Sequence, residues 1–122
     1  MIIKNTVNFK LKRTLNLLDN KFKFEIIYLL LSTEMRFGEI KFTIDLITQQ
    51  LLTKILRELE NDNLILRKKY SGFPRKVVYS LTPFGRSLNP IIKSLLGWEE
   101  KNSIKINNQI KKRKLNSLYD YY

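Results

Sequence analysis

Apolar residues recur along this chain mostly at helical spacing, broken once by two β-prone runs. Leu11, Leu15 and Leu18 share one side of a helix, and Asp19-Asn20 favours a turn, so the spacing predicts a short helix that stops there. Lys21 to Leu31 carries two apolar stripes, Phe22, Ile26 and Leu29 on one side and Phe24, Ile27, Tyr28 and Leu31 on the other. Little of such a helix can face water, which places it at the centre of a domain or at a subunit interface. Ser32-Thr33 interrupts the pattern. Phe37 to Ile44 resumes it with Phe37, Ile40 and Ile44 inward, and a turn follows over Thr43 to Ile47.

Thr48 is the expected N-cap of the next helix, because its hydroxyl can accept a bond from an unpaired first-turn amide. Along TQQLLTKILRELEN, Leu52, Leu56 and Leu59 form one face, while Gln50, Thr53, Lys54 and Arg57 lie at i, i+3, i+4 and i+7 on another. Asn63 is the expected stop, since Asn tolerates the left-handed backbone that ends many helices. The runs Ile65 to Tyr70 and Lys76 to Leu81 follow, and the five residues Ser71-Gly72-Phe73-Pro74-Arg75 between them suit a hairpin. Thr82-Pro83 supplies a cap and a proline at the first helical position. Leu88, Ile91, Ile92 and Leu95 give the helix after it a clean apolar stripe, with Gly97 as its end or bend. From Trp98 to Tyr122 neither period fits well, and a partly helical tail is expected. Without an internal repeat or a Gly/Ser linker, residues 1–122 read as one domain with a core over about 10–98 and a tail over 99–122. The fold class is mainly α with a small β-hairpin.

Charge turns this outline toward a partner. Lys and Arg number 23 against 11 Asp and Glu, a formal net charge of +12, which favours a polyanion. Nucleic acid is preferred over an anionic membrane surface, because the basic residues do not concentrate on one long amphipathic helix. The longest apolar run, Ile26 to Leu31, falls far short of the ~20 residues that span a bilayer. A cytoplasmic protein with no membrane association is therefore expected. The chain has no Cys and no His, so thiolate and imidazole ligands, a thiol nucleophile and an imidazole base are all missing. No catalytic residue, metal or cofactor is assigned.

Helix, turn, helix and hairpin in this order give a winged helix-turn-helix, whose second helix enters the major groove. Gln pairs with adenine, Arg with guanine, and Thr offers a hydroxyl and a methyl, so Thr48, Gln49, Gln50, Thr53, Lys54 and Arg57 are suited to read base edges. The plain alternative is that these residues only solvate a surface helix. From Leu66 to Arg86 there are six basic residues and no acidic one. A basic ribbon along a duplex gains affinity by releasing condensed counterions, and Arg36, Arg67, Lys69, Arg75 and Lys76 are the candidate backbone contacts, Arg75 and Lys76 first. The plain alternative here is an edge hairpin that uses lysines against aggregation. Lys111 to Lys114 is assigned no role.

Several motifs, in order and at matching spacing, resemble the HxlR-type transcriptional regulators, relatives of the MarR group. They are Arg36-Phe37-Gly38-Glu39-Ile40, Thr48 to Glu60, Asn63-Leu64-Ile65-Leu66-Arg67, Tyr79-Ser80-Leu81-Thr82 and Phe84-Gly85-Arg86-Ser87-Leu88, with Pro74 in the wing and Trp98 after the last core helix. The resemblance covers roughly residues 10 to 98. It implies extra terminal helices that hold a homodimer, here assigned to Leu11, Leu15, Leu18, Ile91, Leu95 and Trp98, and a palindromic or pseudo-palindromic operator on double-stranded DNA. Repression is favoured over activation by the same analogy. The chain departs from the family at Asp45-Leu46 and at Asn63, where glycines are common, and at Asn20-Lys21-Phe22, where the family has Gly-Lys-Trp. Many members sense oxidants through an N-terminal cysteine. This chain has none, so any signal is a small-molecule effector, a partner or protein level. A non-specific nucleic-acid-binding or architectural protein and a winged-helix protein-interaction module are the alternative readings.

Overall fold

The computed structural model describes the backbone of residues 2–119 and the side chains of residues 8–117. Its elements are α1 (Ile2–Leu17), α2 (Lys21–Ser32), α3 (Phe37–Thr43), α4 (Gln49–Asn61), β1 (Ile65–Tyr70), β2 (Lys76–Leu81), α5 (Pro83–Arg86) and α6 (Asn89–Tyr119). They fall into two compact units that divide between Asn89 and Pro90. Residues 120–122, part of the expected tail, lie outside the described residues. No described helix is long and apolar enough to cross a membrane.

In the first unit α2 is the central helix, packed against α4, α5 and β2. The Asn20 side chain caps it, accepting from the Phe22 amide at 2.8 Å. The buried stripe of α2 is Lys23, Ile26, Ile27 and Leu30. It runs between the two stripes expected from the sequence, and Tyr28 faces outward. One i, i+3, i+4, i+7 seam suffices to dock a helix, and the second apolar arc stays half-exposed. The core is completed by Ile40, Ile44 and Ile47, by Leu52, Ile55, Leu56 and Leu59 of α4, and by Leu64, Ile65, Val78 and Leu81 around the hairpin. Burying each such side chain contributes about 1.5–3 kcal/mol.

The strands pair antiparallel with Ile65 opposite Leu81 and Tyr70 opposite Lys76. Both ends of each strand are those expected from the sequence. An unexpected third partner extends the sheet: Met35 and Tyr79 exchange backbone bonds of 3.0 and 2.7 Å, so the residues before α3 are tied to the hairpin.

The helix expected from Thr82-Pro83 through Leu95 is instead two helices. The capped start is as expected, with the Thr82 hydroxyl accepting from the Gly85 amide at 2.9 Å. α5 nevertheless ends at Arg86, and a new helix begins at Asn89. Pro90 is the reason: without an N–H it cannot continue an existing helix, and its ring would meet the carbonyl four residues back, but it fits a first turn.

In the second unit α6 passes through Gly97 without stopping. The one irregular residue is Asn102 at φ −125° and ψ 17°, whose side-chain amide donates to the Trp98 carbonyl at 2.9 Å. The tail is helical to Tyr119, more than the partly helical segment expected. Ile92 is buried, while Ile91, Leu95 and Trp98 are about half-exposed or more.

Candidate nucleic-acid interface

The surface centres on α4, and its setting begins with the turn before it. Leu46 occupies the left-handed region at φ 63°, which lets the chain reverse between α3 and α4. Thr48 then caps α4, its hydroxyl accepting from the Leu51 amide at 3.1 Å. The helix ends at Asn61, and Asn63 takes the left-handed conformation at φ 59°, as expected of a residue that tolerates it. Leu52, Ile55, Leu56 and Leu59 are buried, so the opposite side of α4 faces outward.

On that outward side Gln49, Gln50, Lys54 and Arg57 are exposed. Thr53 is half-buried, and its hydroxyl proton is committed to the Gln49 carbonyl at 2.8 Å, leaving its methyl and oxygen lone pairs to face a ligand. Thr48 is exposed, with its oxygen engaged in the cap.

The hairpin stands beside this face. Only Ile65 of β1 is buried, so Arg67, Lys68 and Lys69 all reach solvent, and Arg67 and Lys69 share one face of the strand. Arg75 is exposed in the loop, next to a fully exposed Phe73. Lys76 is half-buried, with its Nζ 5.6 Å from the centre of the Tyr70 ring across the ladder. Arg57 of α4 and Arg67 of β1 line one cavity of about 420 Å³ together with Thr53, Glu60, Phe37 and Tyr79. Helix and strand thus share one concave surface on which two guanidinium groups stand with the Glu60 carboxylate. Arg36 is exposed at the start of α3, its backbone amide held by Glu39 Oε1 at 3.0 Å.

Arg86, counted among the basic residues of this stretch, has a different task. Its guanidinium donates to the Leu31 carbonyl at 3.3 Å, near the end of α2, where a cation complements unpaired carbonyls. Of the residues assigned to an interface between copies, Leu11 and Leu15 of α1 are exposed, and Leu18 is buried.

Sequence reasoning missed Lys23. It is 3% exposed, yet its ammonium lies 2.9 Å from Asp19 and 2.9 Å from Glu58 of α4. Burial disfavours its charge, but the hydrogen bonds and the charges of Asp19 and Glu58 outweigh that, and its pKa stands above the usual lysine value. The hydrogen bond and charge of Lys23 in turn hold Asp19 below the usual carboxylate range. The available signal was positional: Lys23 keeps phase with Ile26, Ile27 and Leu30, and Asp19 precedes it by four.

A helix anchored by one apolar face, preceded by a short helix and a tight turn and followed by a basic hairpin, defines a winged helix-turn-helix DNA-binding protein. Residues 17–107 match the family described as HxlR-like helix-turn-helix, and the chain belongs to that family. It is 44% identical over 88 residues to the HTH-type transcriptional regulator YdeP of Bacillus subtilis, itself uncharacterised, covering 72% of this chain and 69% of that one. Among solved structures it is similar to the redox regulator HypR in its reduced form, with a TM-score of 0.75, 37% identity, and coverage of 81% of this chain and 98% of that one. The reduced form of the transcriptional regulator YodB from B. subtilis superposes with a TM-score of 0.68 at 32% identity, covering 75% of this chain and 90% of that one. The protein is a transcriptional regulator with a helix-turn-helix DNA-binding domain. These similarities indicate no enzyme family.

Proposed function

We propose that the protein acts as a homodimeric repressor on a pseudo-palindromic operator, with α4 of each protomer in a major groove and each hairpin over the flanking backbone. The observation that carries this reading is the exposed row of Gln50, Lys54 and Arg57 on a helix whose other face is locked into the core. Gln49, Gln50 and Arg57 are the base readers, with the methyl of Thr53 available to thymine. Lys54, Arg36, Arg67, Lys69, Arg75 and Lys76 meet phosphates. Leu11 and Leu15 of α1 and Ile91, Leu95 and Trp98 of α6 are exposed apolar residues of the kind a second protomer covers. The redox regulator HypR has been solved in its reduced and oxidised forms, but a chain without cysteine has no thiol with which to respond in that way. Its signal is a small molecule, a partner or its own concentration.

Selection of bound sequences from a random duplex pool tests this. An inverted repeat with half-site centres ~10 bp apart, or a multiple of that, is expected from two recognition helices about 34 Å apart. Recovery of no enriched sequence, or of a single unrepeated motif, overturns the dimeric reading.

A further inference from the structure

Lys54 and Glu58 are four residues apart on the recognition helix, a spacing at which opposite charges can pair. Here they do not. Both ion pairs among the described residues end on Lys23, which takes Glu58 at 2.9 Å and Asp19 at 2.9 Å. Asp19, Lys54 and Glu58 border the same small cleft with Asn20, Leu51 and Ile55, so both carboxylates face the space that Lys54 also lines. The charge of Lys54 already contributes to lowering the pKa of Asp19. Lys23 is almost fully buried, whereas Glu58 and Asp19 are 40% and 62% exposed, so the clamp works from inside the protein on groups at its surface.

We propose that Lys23 is a positioning residue for DNA binding: by holding Glu58 and Asp19 it keeps the Lys54 ammonium unpaired and available to a duplex phosphate. The inference rests on the proposed role of Lys54 at the duplex. Removing the Lys23 charge changes the summed charge of these four side chains from zero to minus one beside the recognition helix. The released Glu58 then competes with phosphate for Lys54.

The test is a binding cycle on the full chain with the selected duplex and a random duplex over a range of salt. Lys23→Met keeps the buried stem volume, and both carboxylates reach water, so the fold is retained, as thermal melting checks. Lys23→Gln, which keeps a donor, replaces it if melting shows otherwise. Lys23→Met and Lys54→Ala should each weaken both duplexes by about fivefold at low salt and lower the salt slope by the same amount. The double variant should be no weaker than Lys54→Ala alone, because each removes the same contact. Adding Asp19→Asn and Glu58→Gln to Lys23→Met leaves these side chains at plus one and should raise affinity to at least the wild-type value, which a purely structural role would not produce. If Lys54→Ala weakens binding while Lys23→Met does not, or if the two losses add, this inference falls alone. If Lys54→Ala changes nothing, the duplex-facing role of Lys54 falls and the inference falls with it.

Discussion

At Leu46 the backbone sits at φ 63° while the side chain is almost wholly exposed, so a branched residue adopts a left-handed conformation with no burial in return. That conformation costs an L-residue about 1–2 kcal/mol, against roughly 0.5–1 kcal/mol of backbone entropy that a glycine loses. Leu46→Gly should therefore raise stability by about 0.5–1 kcal/mol, read as a higher denaturant midpoint with unchanged slope. Gly85 is the opposite case. A Cβ there would lie 2.0 Å from the Leu64 carbonyl oxygen, a backbone atom that cannot swing aside. The same joint is pinned by the Thr82 hydroxyl, which donates to the Asn63 carbonyl at 2.6 Å. Gly85→Ala should cost on the order of 3 kcal/mol or more by urea denaturation, among the larger effects of a single substitution. A loss below 1 kcal/mol would show that the joint yields. Asn63 was legible in the sequence because its side chain tolerates this conformation. Leu46 itself announces no positive φ, and the one sign of it in the sequence was its place at the turn where the resembling family commonly has a glycine.

Elements differ in how openly their sequences declare them. β1 and β2 are delimited by β-prone runs around a Gly-Pro loop, and α4 by a capping threonine with an apolar face at helical spacing, so their bounds follow from local chemistry. The break between α5 and α6 was also written locally, in Pro90, but the apolar stripe across it mimics one continuous helix. The seam of α2 was hidden for a different reason: a lysine among apolar residues reads as solvated, and its burial depends on Glu58, which lies 35 positions further along the chain. That ion cluster has a pH signature. The folded pKa of Lys23 is raised, so its stabilisation is complete below the ordinary lysine value of about 10.4 and is lost as pH rises through the folded value. Asp19 is depressed, so its share is present above about 3.9 and is lost as pH falls through its folded value. Lys23→Met should change stability near neutral pH by less than about 1 kcal/mol, because the stem is replaced in kind and both carboxylates are solvated. It should also remove part of the alkaline loss above roughly pH 10. Denaturant titrations at neutral and alkaline pH compare the two proteins, and an undiminished alkaline loss in the variant would assign it to other groups.

On the scale of the whole molecule, a net charge of +12 favours association with any duplex at low salt, so affinity alone does not reveal how many copies of the chain engage one site. The salt dependence does. Each phosphate neutralised contributes about 0.9 to the slope of log affinity against log salt. Arg75 is the residue to remove, since it is exposed in the wing loop, whereas Lys76 is half-covered at the Tyr70 ring. A monomer on DNA loses one wing contact with Arg75→Ala, and its slope falls by about 0.9. The proposed two-fold dimer loses one contact at each half-site, and its slope falls by about 1.8, twice that value. Preference for the selected sequence over random duplex should be unchanged, because a phosphate contact carries no base information. A change near 0.9 on an inverted repeat would mean that only one wing touches DNA, whatever the oligomeric state in solution. No change at all would remove Arg75 from the interface and leave the hairpin's contacts to Arg67, Lys69 and Lys76.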